Sequence, residues 1–477
     1  MDSASFQFVV LGLAAAIFSN FGSSRIWRSS VLFVFTLIFL GLIEPDPFAF
    51  LPLIAFLFLG YSSLLLLKRG LIASARWSIP AVILVYIWLK KYTLLPDGML
   101  LQFPYFLLGL SYILFRVLHL LIEARDGDSE RIGFGAYLLY MLNFTTFISG
   151  PIQPYHEFAR DQFAEKPIEL DAQCIGLQAE RLVRGFFKIN VLATLLDVLR
   201  ADAFIELSQP IPLWGKMFAA FRVVFLYPFF LYANFSGYID IVISVARLMR
   251  VRLPENFDRP FSAPSFLEFW NRWHITLSNW LKKYVYYPLL MALMRRNDSR
   301  KMEPYIAVFC FFVTFFLVGV WHGRTSEFLV FGVLVGAGVS INKLWQVLMA
   351  SWLPGGGYKS LSRNLVYVSL ARGLTFSWFA FASLWFWASW QQLNQIASSI
   401  GALPCVAVAL TLWMFATVLL AAWEALRGSL LSIRTEDGPV FTSRYARVVY
   451  ASALGFAAFV MIALLNQPAP GIVYKAF

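Results

Sequence analysis

Residues 264–323 read PSFLEFWNRWHITLSNWLKKYVYYPLLMALMRRNDSRKMEPYIAVFCFFVTFFLVGVWHG. From Pro304 to Gly323 this stretch carries no charged residue. Because about 20 apolar residues in a helix cross a bilayer, the run predicts a membrane-spanning helix. The run ends at His322. Ionisable side chains inside a membrane are costly and usually face a cavity, so His322 is the first candidate functional residue.

The first half of the same stretch, residues 265–281, has the pattern of an amphipathic helix. Ser265 followed three residues later by Glu268 is typical of a helix start, and Glu268 is spaced for an ion pair with Arg272. At helical spacing, the apolar face would hold Phe266, Trp270, Trp273, Leu277 and Leu281, and the polar face Asn271, His274 and Ser278. We therefore expect one continuous helix that lies in the membrane or re-enters it.

The composition of the whole chain indicates a multi-pass membrane protein. Of its 477 residues, 59% are hydrophobic and only 14% are charged, which is too much apolar surface for a soluble domain to bury. The apolar runs predict an all-α bundle of about eleven to thirteen membrane helices. No internal repeat or second compositional region is evident, so residues 1–477 are predicted to form a single domain.

Several classes of function are disfavoured by the sequence. The net charge is +12, but the basic residues cluster between apolar runs, which is typical of membrane topology signals and argues against nucleic-acid binding. The three cysteines, Cys174, Cys310 and Cys405, form neither a disulfide framework nor a metal pattern. Motifs of serine hydrolases, metalloproteases and nucleotide-driven pumps do not occur. We expect no metal, no bound cofactor and no nucleic acid.

Four ordered blocks resemble a known family. They are NFSGYID at 234–240, LPENFDRPF at 253–261, FLEFWNRWHITLSNWLKKYVYYPL at 266–289 and GVWHG at 319–323. Together they resemble the membrane-bound O-acyltransferase superfamily, specifically the bacterial branch of alginate O-acetyltransferases and teichoic-acid D-alanyl transferases. Weaker similarity extends the motif core to about residues 100–345. Where alginate O-acetyltransferases usually have an acidic residue, this chain has Asn234, so the resemblance does not identify the acyl acceptor.

The resemblance implies a reaction and a set of site residues. His322 matches the catalytic histidine, and His274 the second motif histidine, which would position substrate or share the proton. The predicted substrate-binding residues are Asn271, Ser278, Trp321, Tyr238 and Asp240. A neutral imidazole suits the first role, because acyl transfer to an alcohol needs a base for the hydroxyl proton. The helices would surround a central tunnel with His322 at its constriction.

The resemblance also implies partners and a location. The acyl group, most simply acetyl, would come from a cytoplasmic thioester such as acetyl-CoA or acyl carrier protein. It would pass across the bacterial inner membrane to a hydroxyl of a cell-surface polysaccharide or to a periplasmic esterase-like acyltransferase. The alternative function is a proton-coupled transporter or flippase with intramembrane histidines. Transporters usually show two related halves, and this sequence has no such symmetry.

Two further features have two interpretations each. His119, with Arg116 and Glu123 one turn away on either side, belongs to a row that either faces the reaction site or satisfies its own buried polar groups. Residues 157–216 alternate apolar and charged positions. They form either a docking surface for an acyl carrier, with basic residues between Arg181 and Lys188 that bind an anionic donor, or a solvated helical cap on the bundle.

Overall fold

The computed structural model describes residues 6–69, 72–125, 132–297, 299, 301–353, 355–432, 434–435, 438–439, 443–465 and 470–471. The described chain is helical almost throughout, which confirms the predicted all-α class. The helices are α1 (Phe6–Ser19), α2 (Arg25–Ile43), α3 (Leu51–Lys68), α4 (Ile72–Leu89), α5 (Leu110–Arg125), α6 (Phe134–Leu142), α7 (Tyr155–Gln162), α8 (Ala172–Phe187), α9 (Thr194–Glu206), α10 (Leu213–Leu248), α11 (Phe266–Arg272), α12 (Ile275–Leu281), α13 (Tyr287–Met294), α14 (Glu303–His322), α15 (Ser326–Trp352), α16 (Gly357–Leu361), α17 (Leu365–Ala382), α18 (Leu384–Trp387), α19 (Trp390–Ile400), α20 (Ala402–Ser432) and α21 (Arg444–Leu465).

Short irregular elements complete the described secondary structure. Two-residue strands β1 (Arg434–Thr435) and β2 (Gly438–Pro439) pair antiparallel. Single turns of 3₁₀-helix occupy Pro47–Phe50, Asp97–Met99 and Pro260–Ser262. Wider π-helical turns occupy Lys188–Ala193, between α8 and α9, and Lys282–Tyr286, between α12 and α13.

Eight helices within the described residues are long and apolar enough to cross a membrane. Their apolar spans are Arg25–Ile43, Pro47–Lys68, Leu213–Leu248, Glu303–His322, Ser326–Trp352, Leu365–Trp387, Ala402–Leu430 and Arg444–Leu464, and two shorter apolar helices cover Phe6–Ser19 and Trp77–Leu89. The chain is therefore a multi-pass helical membrane protein. The count is lower than the predicted eleven to thirteen because some apolar runs form short helices, for example the nine-residue α6.

The chain divides into two compact units. The first comprises Met1–Phe186, Gly237–Glu255 and Gly471–Phe477, and the second comprises Phe187–Ser236 and Asn256–Pro470. Helix α10 contributes residues to both. A single domain over residues 1–477 and a central tunnel stay predictions.

In the first unit, a buried arginine organises the loop after α6. The Arg116 guanidinium, 4% exposed, donates to the carbonyl oxygens of Tyr140, Met141 and Thr146 at 2.7 to 2.8 Å, and to Oγ1 of Thr146 at 2.6 Å. A buried charge is tolerated when its donors are all satisfied in this way. Around this loop Phe8 packs edge to face on Phe39 and Phe144, with ring centroids 5.8 and 6.2 Å apart, and the Phe39 and Phe144 rings are tilted at 6.0 Å.

In the second unit, glycines bring α14 and α15 into close contact. A Cβ atom at Gly319 would lie 2.3 Å from the Cα of Gly332, and one at Gly332 would lie 2.6 Å from the carbonyl oxygen of Phe316. Any side chain at these positions would push the helices apart, since small residues at helix interfaces allow backbones to approach closely in membranes. The contact fixes the C-terminal end of α14, where His322 lies.

The predicted continuous helix over 265–281 is wrong, because the chain breaks at Trp273 and His274. Ser265 does cap α11, accepting from the backbone N–H of Glu268 at 3.2 Å, and Glu268 does pair with Arg272 at 3.0 Å. Trp273 is then extended, and His274 adopts the left-handed conformation at φ 45° before α12 begins. With seven residues, α11 is too short to cross a membrane alone, whereas α12 continues through the π-helical turn at Lys282–Tyr286 into α13.

Candidate active site

Long-range backbone contacts with the LPENFDRPF block hold the break at His274 in place. A left-handed conformation at a residue other than glycine costs about 1–3 kcal/mol, so surrounding contacts must stabilise it. Here the Ile275 N–H donates to the carbonyl oxygen of Asn256 at 3.0 Å, and the Asp258 N–H to that of Arg272 at 2.9 Å. Phe257 and Trp273 pair as an isolated antiparallel bridge. The two blocks therefore form one local structure.

The side chain of Asn256 completes this structure. Its Oδ1 accepts from the Thr276 N–H at 3.1 Å and from the Thr276 hydroxyl at 2.9 Å, and Asn256 is 0% exposed. An amide N–H can only donate, so the Asn256 carbonyl oxygen must face Thr276. The same oxygen lies 3.3 Å from Nδ1 of His274. Since this oxygen is an acceptor, Nδ1 of His274 carries the proton and Nε2 carries the lone pair.

His274 is buried among aromatic rings and is neutral at physiological pH. Burial lowers its pKa to about 3, although a hydrogen bond with its own backbone acts in the opposite direction. The ring meets Phe235 edge to face at 5.0 Å between centroids and Trp321 at 6.3 Å. A neutral imidazole with a fixed tautomer can orient a hydroxyl group or accept its proton.

His322 ends α14 in an equally apolar environment. It is 4% exposed, and its ring centroid lies 4.9 Å from that of Phe386 and 6.0 Å from that of Phe331. The neighbouring Trp321 ring lies 4.6 Å from His322. Trp321 thus contacts both histidines. Gly323 is required next to His322, because a Cβ there would lie 2.0 Å from the Phe328 ring.

All four sequence blocks meet around His274. Phe235 of the first block packs on Phe257 of the second at 5.1 Å, and Phe257 packs on Trp273 of the third at 5.1 Å. Trp321 of the fourth block closes the cluster against His274. These residues belong to one compact unit, although the blocks span about ninety positions of sequence. The predicted pair of histidines is therefore brought into one site.

The predicted polar face of residues 265–281 does not form as expected. Asn271 is exposed, donates to Glu268 at 3.0 Å and accepts from Lys282, whereas His274 and Ser278 are buried at 1% and 3% exposure. The helix break rotates Asn271 away from the register of the other two. Ser278 keeps its position one turn after His274, to whose carbonyl its N–H donates at 3.0 Å. A substrate-binding role for Asn271 and Ser278 stays a prediction.

Asp240 and Tyr238 belong to the first unit, where Asp240 is the centre of a charge network. Arg181 donates to Asp240 at 2.9 Å and, through both terminal nitrogens, to Glu255 at 2.6 and 2.5 Å. Arg184 contacts both Asp240 oxygens at 3.3 Å. Two of the basic residues expected to bind an anionic donor are therefore engaged by carboxylates of the chain itself. This favours a structural role for that part of α8.

We predict that Asp240→Asn destabilises the first unit, because Arg181 and Arg184 lose the charge that faces them. Removing one partner of a buried ion pair typically costs about 3–5 kcal/mol. Because Arg184 is partly exposed to solvent, we expect a loss in the free energy of unfolding at or below the low end of that range. Thermal unfolding of the purified protein measures the effect. A raised KM for an acyl acceptor at unchanged stability would instead support the predicted substrate-binding role of Asp240.

The structure favours the structural interpretation of His119. Its Nδ1 lies 3.4 Å from Glu123, and its Nε2 accepts from the backbone N–H of Tyr155 at 3.1 Å. Both ring nitrogens therefore face partners of the chain itself, and the preceding Arg116 binds the loop after α6. Among the described residues, no group of three or more His, Cys, Asp or Glu side chains is arranged to hold a metal ion.

Asn256 is the site residue that sequence reasoning missed as an individual residue. It lies in a quoted block, between Glu255 and Phe257, and neither hydrophobic periodicity nor a cap pattern distinguishes it. The one available signal was its place in the block between Pro254 and Pro260. Nothing in the neighbouring residues indicates that the Asn256 side chain is buried. Its role depends on contacts with residues about twenty positions away.

Comparison with known proteins shows which sequences this chain is similar to. The teichoic acid D-alanyltransferase of Streptococcus thermophilus is 34% identical over 245 residues, which cover 50% of this chain and 57% of that protein. The corresponding protein of Bacillus subtilis is 27% identical over 227 residues, covering 47% and 56%. A protein of Pseudomonas syringae pv. tomato named "Probable alginate O-acetylase AlgI" is 32% identical over 240 residues, covering 50% and 42%. The chain thus spans about half the length of the curated relatives it matches.

The family itself is identified by a longer match. A sequence model described as "MBOAT, membrane-bound O-acyltransferase family" matches residues 31–371. This range includes all four motif blocks and both histidines of the candidate site. Since the match covers well over half of the 477 residues, the chain belongs to the membrane-bound O-acyltransferase family.

Proposed function

We propose that this protein is an O-acyltransferase that moves an acyl group, most simply acetyl, from a cytoplasmic thioester to a hydroxyl group. The acceptor is a cell-surface polysaccharide or a periplasmic acyl-relay protein, and the membrane is the bacterial inner membrane. Acetyl-CoA or an acyl carrier protein thioester serves as donor. The proposal is supported by the family match and by the relatives that act as D-alanyl transferases or are named as O-acetylases.

The observation that carries the proposal is the joint burial of His274 and His322 against Trp321. Both imidazoles are buried beside the Trp321 ring, His274 just before α12 and His322 at the end of α14. Burying ionisable groups in a membrane protein is costly, so such groups usually have a function. Burial also excludes bulk water, which would otherwise hydrolyse an activated acyl group. A tunnel that meets this site would let donor and acceptor reach it from opposite sides of the membrane.

The reaction requires two proton transfers and one displacement at carbon. His322 accepts the proton of the acceptor hydroxyl as its oxygen attacks the thioester carbonyl carbon. The new C–O bond forms, a negative charge develops on the carbonyl oxygen, and the C–S bond then breaks. The sulfur leaves as a thiol after taking up the proton from the His322 imidazolium. His274, neutral and held by Asn256, orients the hydroxyl group through Nε2.

The amide nitrogen of Asn256 suits a second role. Its Nδ2 is buried and makes no hydrogen bond with a described residue, whereas its Oδ1 is fully engaged. A buried donor left unpaired costs about 1–3 kcal/mol, so it is most readily explained where a ligand supplies the acceptor. We assign Nδ2 as a hydrogen-bond donor to a substrate oxygen. Such a donor stabilises charge that develops on oxygen in the transition state.

Reconstituted protein tests the proposal directly. The full chain is placed in liposomes and supplied outside with acetyl-CoA labelled in the acetyl group, with a polysaccharide bearing free hydroxyls enclosed. We expect label to appear in the enclosed polymer as an ester that hydroxylamine releases. The controls are liposomes without protein and liposomes with the His322→Gln variant.

Two outcomes would contradict the proposed reaction and its base, and a third would contradict the acceptor class. One is proton-coupled movement of a solute with no ester formed, which would support the transporter alternative. The other is acyl transfer that persists when His322 is replaced. Release of label by hydrolysis alone, with every hydroxyl acceptor tested, would show that the proposed acceptor class is wrong.

A further inference from the structure

An apolar groove of about 680 Å³ lies in the second unit, between α15 and α17. It contains neither histidine of the candidate site. Gly338, Leu374 and Trp378 line it from the middle of their helices, within the membrane spans. Phe266 at the start of α11 forms another part of its wall. The part of the groove lined by Gly338, Leu374 and Trp378 therefore lies along the apolar spans of α15 and α17.

The indole rings of this wall present apolar faces. The N–H of Trp378 donates to the carbonyl oxygen of Leu334 at 3.0 Å, and the N–H of Trp413 to that of Leu370 at 3.0 Å. Because these donors are satisfied by the backbone, they offer nothing to a polar ligand. An apolar occupant is favoured in this part, since a polar group without a hydrogen-bond partner is costly there.

The other end of the groove is polar. Its lining residues there come from the C-terminal part of α15, from α16 and the residue after it, and from the N-terminal end of α17: Asn342, Gln346, Tyr358, Ser362 and Tyr367. The hydroxyl of Tyr367 accepts from the Trp345 indole at 3.0 Å. Asn342, Gln346 and Tyr367 lie towards the span ends at Trp352 of α15 and Leu365 of α17. The groove is thus amphipathic along its length, like a lipid.

Three cations are the sequence neighbours of residues at the polar end, although they do not themselves line the groove. Lys343 follows Asn342, Lys359 follows Tyr358, and Arg363 follows Ser362. Lys359 and Arg363 are exposed and Lys343 is half-buried, and none of the three forms a salt bridge with a residue that the structure describes. No acidic residue lines the groove. Basic groups beside a cleft between membrane helices attract anionic headgroups.

We propose that this groove binds one anionic phospholipid. One acyl chain lies between α15 and α17, and the phosphate lies beside Lys343, Lys359 and Arg363. The polar uncharged side chains of the groove, including Gln346 and Tyr358, bind the glycerol and ester oxygens. This site is independent of acyl transfer, because the lipid is held intact and no residue of the candidate active site is needed. A bound chain also packs against Phe266 and so stabilises the start of α11.

Native mass spectrometry of the full chain tests the proposal. The protein is delipidated in a nonionic detergent and titrated with dioleoyl-phosphatidylglycerol or dioleoyl-phosphatidylcholine, which share the same chains. We expect one retained phosphatidylglycerol per chain. Because basic residues attract its anionic headgroup, its apparent affinity should exceed that of phosphatidylcholine by about tenfold or more. Retention should be accompanied by a higher midpoint of thermal unfolding.

Matched variants locate the site. The combined variant Lys343→Gln, Lys359→Gln and Arg363→Gln should lose the preference for phosphatidylglycerol. The control Arg295→Gln, Arg296→Gln and Lys301→Gln removes the same charge from the segment between α13 and α14 and should keep the preference. Leu374→Trp, which fills the apolar part, should abolish retention of both lipids. If that variant unfolds, Ala371→Leu provides a milder obstruction on the same wall.

Three results would overturn the proposal. Equal retention of the two lipids by the wild type would show that charge does not select the occupant. An equal loss of preference in the combined variant at Lys343, Lys359 and Arg363 and in its control would assign the effect to the general surface charge. Unchanged retention in Leu374→Trp and Ala371→Leu would place the lipid elsewhere.

Discussion

Replacing His322 by alanine or glutamine is expected to reduce acyl transfer by about 10²–10⁴-fold, the usual contribution of a general base. The effect is large because no other described imidazole lies against both Phe331 and Phe386 at the end of α14. Glutamine has similar bulk and can form hydrogen bonds, but it does not accept a proton at physiological pH. The initial rate of label transfer in liposomes measures the effect, with unfolding of the same sample measured in parallel.

His119→Gln is the matched control for this variant. His119 is also buried, at 3% exposure, but its nitrogens face Glu123 and the Tyr155 N–H. Its replacement should lower the thermal unfolding midpoint while the activity per folded molecule stays near that of the wild type. Full activity in His322→Gln would refute the assignment of the general base. An equal loss of activity per folded molecule in both variants would show that the measurement reports folding.

Replacing Asn256 by alanine is expected to lower activity by about 10²-fold, the scale of a small displacement of a catalytic group. The change removes the acceptor that Thr276 and His274 share and releases the backbone break at His274. Each donor left buried without a partner also costs about 1–3 kcal/mol, so a lower unfolding midpoint should accompany the loss. The change to aspartate keeps the accepting oxygen but removes the Nδ2 donor, so comparison with alanine separates the loss of the donor from the loss of the acceptor.

Asn256→Asp should also change the pH dependence of the reaction. Burial holds the pKa of His274 near 3, so the wild-type ring is neutral at pH 5–8 and its protonation does not limit activity there. A carboxylate at position 256 stabilises the imidazolium and raises this pKa. The acid limb of the rate profile should therefore move to higher pH. In the wild type, the histidine of the unfolded chain has a pKa near 6.5 and is protonated at a higher pH than the folded His274. The free energy of unfolding therefore decreases as pH falls from 6.5 towards 3.

Asn143 provides the matched control for both changes at Asn256. It is buried at 3% exposure, and its Oδ1 accepts from the Thr145 N–H at 3.1 Å and the Thr145 hydroxyl at 2.9 Å. Asn143 therefore binds Thr145 as Asn256 binds Thr276, but among the described residues its Oδ1 has no histidine partner. Asn143→Asp should leave the rate profile unchanged. A profile that does not move in Asn256→Asp would refute the contact between Asn256 and His274.

The charge-free run of α14 shows what local sequence can predict. Length and apolar composition alone determine that residues 304–323 form a membrane helix ending at His322, because a helix satisfies its own backbone groups and needs no distant partner. The cap at Ser265 and the ion pair of Glu268 with Arg272 are equally local and were predicted correctly. The family resemblance added the pairing of His322 with His274.

Other features depended on residues far apart in sequence. The helix break at His274 is held by Asn256, 18 positions earlier, and Asp240 is paired with Arg181, 59 positions earlier. Hydrophobic periodicity is blind to such contacts, since it reports only which face of a helix is apolar. It therefore predicted one smooth helix over 265–281 and free basic residues on α8.

The sequence by itself thus determined the helical membrane class and the extent of α14, and the family resemblance named the residues of the candidate site. Only the tertiary structure decided the conformation of His274, its tautomer, the partners of Arg181 and Arg184, and the groove between α15 and α17. The physical reason is how far apart in sequence the interacting residues lie. Hydrophobic burial acts along each helix, whereas hydrogen bonds and ion pairs in the interior require partners that folding alone brings together.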